Sequence, residues 1–265
     1  MELRSEALAV LLVADPATKA HQARSLFKQR QAYTLEPQAP LRAPAETPLP
    51  GRPVRPRLVA ALQVPSRSPF TPEGRVALLH AIAHIEFNAI NLALDALWRF
   101  PGMPPRFYED WLQVAAEEAE HFMLLREHLQ SLGADYGDHD AHDGLWAMAE
   151  RTRDDVLARM ALVPRTLEAR GLDATPPLQA KFAKAGDARA VAILDVILQE
   201  EIGHVEIGNR WYRHLCLERG LDPVALYPEL VQRYQAPKPR PPLNEAARQA
   251  AGFTEAELAY LRDGF

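Results

Sequence analysis

Two Glu-x-x-His steps, Glu118-Ala119-Glu120-His121 and Glu201-Ile202-Gly203-His204, each sit in the middle of a long segment of helical period. A helical residue and the one three places on share a face, with a rise of about 4.5 Å between them. At that spacing one carboxylate can bridge two metal ions while the neighbouring imidazole caps one of them. With 21 Glu and 9 His in 265 residues, about 0.7 such pairs are expected by chance. The motif alone therefore decides little, and its surroundings decide more.

Both steps interrupt apolar stripes. The face of Glu118 and His121 also carries Trp111, Val114, Ala115, Leu125 and Leu129, and that of Glu201 and His204 carries Leu194, Ile197, Leu198, Gly208, Trp211 and Leu215. A buried carboxylate without a partner costs several kcal/mol, so buried charges are paired or bind metal. A surface salt-bridge reading fits neither segment. Glu117, Glu120 and Glu200 point about 100° or more away from these faces and are expected in solvent or in salt bridges.

Four long helices are expected, over residues about 72–100, 105–132, 144–171 and 187–219. The first opens with Thr71 as N-cap and Pro72 at the first helical position, and places Glu86 on an inward face with Ile82, Ala83, Ile90, Ala93 and Leu97. The second ends near Gly133. The third should kink at Pro164 and puts Glu168 on a face with Leu157, Met160, Ala161 and Pro164. Asp155 is the rival carboxylate there, on a face that includes Arg151 and Arg159. The fourth is opened by Asp187 and closed by Gly220, after a turn-rich stretch from Leu172 to Gly186.

Residues 1–70 read as short helices broken near Asp15-Pro16, then a strap dense in proline (Pro37, Pro40, Pro44, Pro48, Pro50, Pro53, Pro56, Pro65, Pro69). Residues 71–220 form the expected bundle, and 221–265 a C-terminal arm with a proline-rich spacer and a short helical tail, Asn244 to Arg262. His80 and His84 read as structural histidines. The segment Gly137-Asp138-His139-Asp140-Ala141-His142-Asp143 reads as a turn into a helix rather than a second metal site, and Tyr212 as a packed core aromatic.

Composition excludes several classes. A net charge of −5 gives no steering toward phosphate backbones, so nucleic acid is not an expected partner. The single cysteine, Cys216, rules out an internal disulfide and any Cys-x-x-Cys metal module, and the reducing cytoplasm is the expected compartment. The apolar run Ala7 to Ala14 is too short to span a bilayer, so neither export nor a membrane anchor is expected.

The chain resembles the ferritin-like family called domain of unknown function 455. The likeness rests on Pro50-Gly51-Arg52-Pro53, His80-Ala81-Ile82-Ala83-His84-Ile85-Glu86, Glu117 to Phe122, Arg159 to Arg165 with Glu168-Ala169-Arg170-Gly171-Leu172-Asp173, and Glu200 to Val205. It covers the chain from about residue 50 to Ala251-Gly252-Phe253 near the end. The resemblance implies an all-α, ferritin-like up-down four-helix bundle and metal ligation by Glu86, Glu118, His121, Glu201 and His204. Glu168 falls in the family's own Glu-Ala-Arg-Gly-Leu-Asp stretch.

Ferritin-like dimetal bundles take a Glu-x-x-His from each of two helices and one Glu from each of two others, a set this chain can supply. Carboxylate-rich ligation with two imidazoles suits two iron or manganese ions better than zinc. The expected activity is an O2-dependent oxidase or oxygenase acting on a small or apolar substrate, with an external electron donor; a homodimer is left open. The alternatives are a ferroxidase or peroxide-detoxifying protein, and a non-enzymatic helical scaffold whose core is a structural metal or ion-pair network.

Overall fold

The computed structural model describes residues 1–45, 47–64 and 68–263. Pro65 of the strap and the last two residues of the C-terminal arm lie outside them. Among the described residues all regular structure is helical; the only β pairings are isolated bridges between Glu2 and Thr34 and between Leu58 and Ala141. The chain divides into two compact units, Met1–Trp146 and Ala147–Phe265.

The first unit is built on two long helices, α3 (Pro72–Arg99) and α4 (Pro105–Ser131), with α1 (Leu3–Leu11) lying on α3 and α2 (Pro16–Lys28) on α4. The start signals act as expected: Thr71 accepts from the Gly74 amide at 3.1 Å and Asp15 from the Thr18 amide at 2.8 Å. A short link between Arg99 and Pro105 forces α3 and α4 to run antiparallel. Helix α3 is long and apolar enough to cross a membrane, but 72% of its most apolar window is buried inside the fold. That is the burial of a core helix.

Proline denies the strap its amide donors, so its carbonyls must find partners elsewhere. Buried cations supply them. Arg4 donates from Nη1 to the carbonyls of Glu36, Pro37 and Ala39 and from Nη2 to that of Trp98, an orphan acceptor in the last turn of α3. Lys19, fully buried, donates from Nζ to the Gly51 carbonyl at 2.7 Å and to Asn91 of α3 at 2.5 Å, and burial pushes its ammonium down to about 7. Arg52 grips Asp143, and the neighbouring Arg57 pairs with Asp140. The segment Gly137–Asp143 thus anchors the strap, which adds a docking role to the turn expected there.

The second unit is built on α8 (Ala188–Glu218), with α6 (Val156–Leu162), a π-helical turn (Val163–Glu168) and α7 (Ala169–Lys184) packed along it. The boundary between the units falls within α5 (Gly144–Arg151), and the chain ends in α9 (Pro223–Arg233), α10 (Glu245–Ala250) and α11 (Glu255–Asp263).

This corrects the expected third helix. It is not one kinked rod over 144–171, because the chain breaks after Arg151 and restarts with Asp155 as N-cap, accepting from the Leu157 amide at 3.0 Å. Proline at 164 cannot donate an α-helical bond, and the local answer is an added residue per turn rather than a bend: Ala169 donates to the Pro164 carbonyl five residues back. The stretch from Leu172 to Lys184, expected as turns, is helical through Pro176 and Pro177, with Leu172 and Phe182 buried as anchors. Helix α9 was not expected, and the tail is two helices separated at Gly252, which has φ +87.

At Gly51 the strap passes against the end of α1, its amide donating to the Leu11 carbonyl at 2.9 Å. A Cβ there would lie 2.0 Å from the Leu12 carbonyl oxygen, a backbone atom with little freedom to retreat. Gly51→Ala is expected to destabilise the protein by about 1–3 kcal/mol, read as a lowered denaturation midpoint with unchanged slope; an unchanged midpoint would show that the strap does not bear on α1 there.

Candidate metal centre

Helices α3 and α4 bring three potential ligands together. Glu86 is 3% exposed, and Glu118 and His121 are fully buried; one ligand atom from each lies within 4.8 Å of the others. The Nδ1 atom of His121 is 3.1 Å from Glu86 Oε2 and 3.4 Å from Glu118 Oε2. The apolar residues expected on the same faces, from Ile82 to Leu97 on α3 and from Trp111 to Leu129 on α4, are buried as the helical period requires. Phe87 and Phe122, each next to a ligand in sequence, meet at 5.4 Å and close over Tyr136.

The electrostatics are those of an acidic pair held out of water. Burial first, and then the charge of Glu118, raise the Glu86 carboxyl above its ordinary value, while the hydrogen bond and charge of His121 pull the other way. A divalent cation relieves both costs at once, since it replaces lost hydration and separates the like charges. The donor set, two carboxylates and an imidazole, is rich in hard oxygen and fits iron or manganese. A buried cluster of Glu and His that could hold a metal ion is therefore present in the first unit.

In the second unit Glu201 and His204 lie one turn apart on the buried side of α8, with His204 Nδ1 4.0 Å from Glu201 Oε2. Ile197, Gly208, Trp211 and Leu215 are buried with them. Glu168 is 9% exposed and ends the π-helical turn. Among the described residues, Glu168, Glu201 and His204 do not gather within 4.8 Å of one another as the first-unit trio does. Asp155, the rival carboxylate, caps α6 and lies 3.5 Å from Arg219.

The flanking acids face outward. Glu117 accepts from Gln113, Glu120 pairs with Arg24 at 2.5 Å, and Glu200 is half-buried. His84 bonds Tyr136 at Nδ1, and its Nε2 meets the His142 carbonyl and Asn88, while His80 accepts from the Gly137 amide. Burial lowers both histidines to about 4, so both are neutral at pH 7, with His84 donating from Nε2 to the His142 carbonyl. Tyr212 is packed, donating to the Pro223 carbonyl.

Sequence reasoning missed the buried Arg165–Glu257 pair, 2.9 Å apart with both side chains almost fully enclosed. Arg165 lies in a stretch that carries the family likeness, so its presence was visible and its partner was not.

The raised Glu86 carboxyl has a measurable consequence. Folded metal-free protein keeps a proton on Glu86 at pH values where the unfolded chain, with an ordinary value near 4.5, has released it, so stability falls as pH rises above that value. In the presence of chelator, Glu86→Gln should flatten this decline and raise the melting temperature at pH 8 relative to wild type. Equal pH slopes in the two proteins would mean that Glu86 is not strained.

The family described as "Protein of unknown function (DUF455)" matches residues 12–259 of the chain. An "Uncharacterized protein" of Haemophilus influenzae is 55% identical over 216 residues, covering 79% of this chain and 75% of the relative. No solved structure matches the chain.

Proposed function

We propose that this chain, which belongs to the DUF455 family, is a ferritin-like dimetal carboxylate protein acting as an O2-dependent oxidase or oxygenase on a small or apolar substrate. In this reading the proposed ligands are Glu86, Glu118, His121, Glu168, Glu201 and His204. Four carboxylates and two imidazoles match the ligand inventory of ferritin-like dimetal bundles, balance two divalent ions in charge, and leave coordination positions for O2.

The observation that carries the reading is the buried trio on α3 and α4. An acidic pair with a raised carboxyl, buried out of water, is costly in a metal-free core and favourable around a cation. Glu118 and Glu201, each one turn before a histidine, would hold the ions through their carboxylates together with Glu86 and Glu168. His121 and His204 would each cap one ion through a neutral imidazole. Two redox-active divalent ions held by these residues would supply electrons to dioxygen, and an electron donor would have to restore them.

Purified protein reconstituted with Mn(II) or Fe(II) is expected to hold about two ions per chain. The double variant Glu118→Ala/Glu201→Ala should lose most of that metal, and Glu117→Ala/Glu200→Ala should keep it, because only the first pair shares a face with the histidines. Equal loss in both variants would refute the ligand assignment, and a wild-type protein that takes up no metal would leave an ion-pair scaffold as the better reading.

A further inference from the structure

The C-terminal arm holds more of the second unit's buried charge than an appendage needs. Arg165, in the π-helical turn, is 1% exposed. Its guanidinium meets Glu257 of α11 at 2.9 Å and Asn209 of α8 at 2.5 Å, and lies within 5.2 Å of the ring centres of Tyr212, Tyr227 and Phe253. Glu257 is itself held: its second oxygen accepts from Arg213 at 2.8 Å and from the Thr254 amide at 2.7 Å. Arg165 and Arg213 together hold the Glu257 carboxyl below its usual range despite burial. The charge network therefore ties α11, the π-helical turn and α8 to one another.

A π-helical turn carries one more residue than an α-helical turn, so everything after it is rotated by about 100° relative to an unbroken helix. Glu168 is the last residue of that turn. Its direction is thus set by whether the added residue stays at 163–168. Three further contacts hold it there. Thr166 donates to the Ala161 carbonyl five residues back at 2.7 Å and meets the Tyr227 hydroxyl at 2.8 Å. Gly208 of α8 lets Pro164 approach so closely that a Cβ on it would sit 2.5 Å from the Pro164 Cβ.

We propose that Arg165 and Glu257 are positioning residues: the C-terminal arm, through their ion pair, fixes the π-helical register and thereby sets the direction of Glu168, one of the proposed metal ligands. The inference rests on the dimetal reading above and adds to it a role for a segment more than eighty residues beyond Glu168 in sequence. Neither residue touches metal, and Glu257→Gln acts by leaving Arg165 without its countercharge.

The test is Mn(II) titration by calorimetry on the full-length protein, together with hydrogen exchange at the amides of Arg165–Ala169 and circular dichroism to verify the fold. Glu257→Gln should weaken Mn(II) binding about 10–100-fold, the usual effect of losing an outer partner of a ligand, and should speed exchange in the π-helical turn. Adding it to Glu168→Ala should weaken binding no further than Glu168→Ala alone, since both remove the same ligand. Arg262→Ala, which breaks only the surface pairs with Glu245 and Glu255, should bind like wild type. If Glu257→Gln fails to fold, Arg213→Gln, which removes one of the two arginines on Glu257, should show the same losses in weaker form. Wild-type affinity in the folded arm variants, or effects of Glu257→Gln and Glu168→Ala that simply add, would overturn the positioning role. Wild-type protein silent toward Mn(II) would instead overturn the dimetal reading, and this inference with it.

Discussion

Two carboxylates buried side by side in an apolar core cannot both be charged without something positive between them, and Glu86 and Glu118 are in that position. The cost of desolvating each is several kcal/mol, far more than the fractions of a kcal/mol gained from an exposed helical pair. Such an arrangement persists only where the surrounding helices hold it in place. Here α3 and α4 do so over almost their whole length, with every expected inward position from Ile82 to Leu97 buried. A cluster that could hold a metal ion, and is strained without one, is a familiar way for a fold to give up some stability.

The same arithmetic explains why buried cations recur where the chain is irregular. Proline-rich segments have carbonyls in excess of amides, and helix ends leave carbonyls unmatched. Arg4 and Lys19 answer this for the strap, Arg159 donates to the Ala149 carbonyl near the end of α5, and Arg248 donates to the Ala169 carbonyl while pairing with Asp173. These side chains turn non-helical flanks into ordered parts of each unit. Breaking one would strand a buried charge, which is the costlier loss.

Much of this was legible in the sequence. The cap residue Thr71 found the start of α3, and Asp187 that of α8, because a cap is a local hydrogen bond that needs no tertiary context. Helical period placed Glu86, Glu118, His121, Glu201 and His204 on buried faces for the same reason. The third segment was misread because a proline in a helical pattern has two outcomes, a kink or a wider turn, and the choice belongs to contacts with Gly208 and Asn209 of α8, distant in sequence from it. Helix α9 carried the same Asp-Pro start, Asp222-Pro223, that opened α2 at Asp15-Pro16, and was overlooked inside a proline-rich region. Glu257 gave no signal at all, since an acidic residue in a short polar helix looks like surface until its partner is known.

The most direct test of the central claim is anomalous diffraction from crystals of the full-length protein grown with Mn(II). The account predicts two manganese peaks about 3.5–4 Å apart, bound by Glu86, Glu118 and His121. Absence of manganese from the Glu86–Glu118–His121 trio, or peaks confined to surface acids, would contradict it.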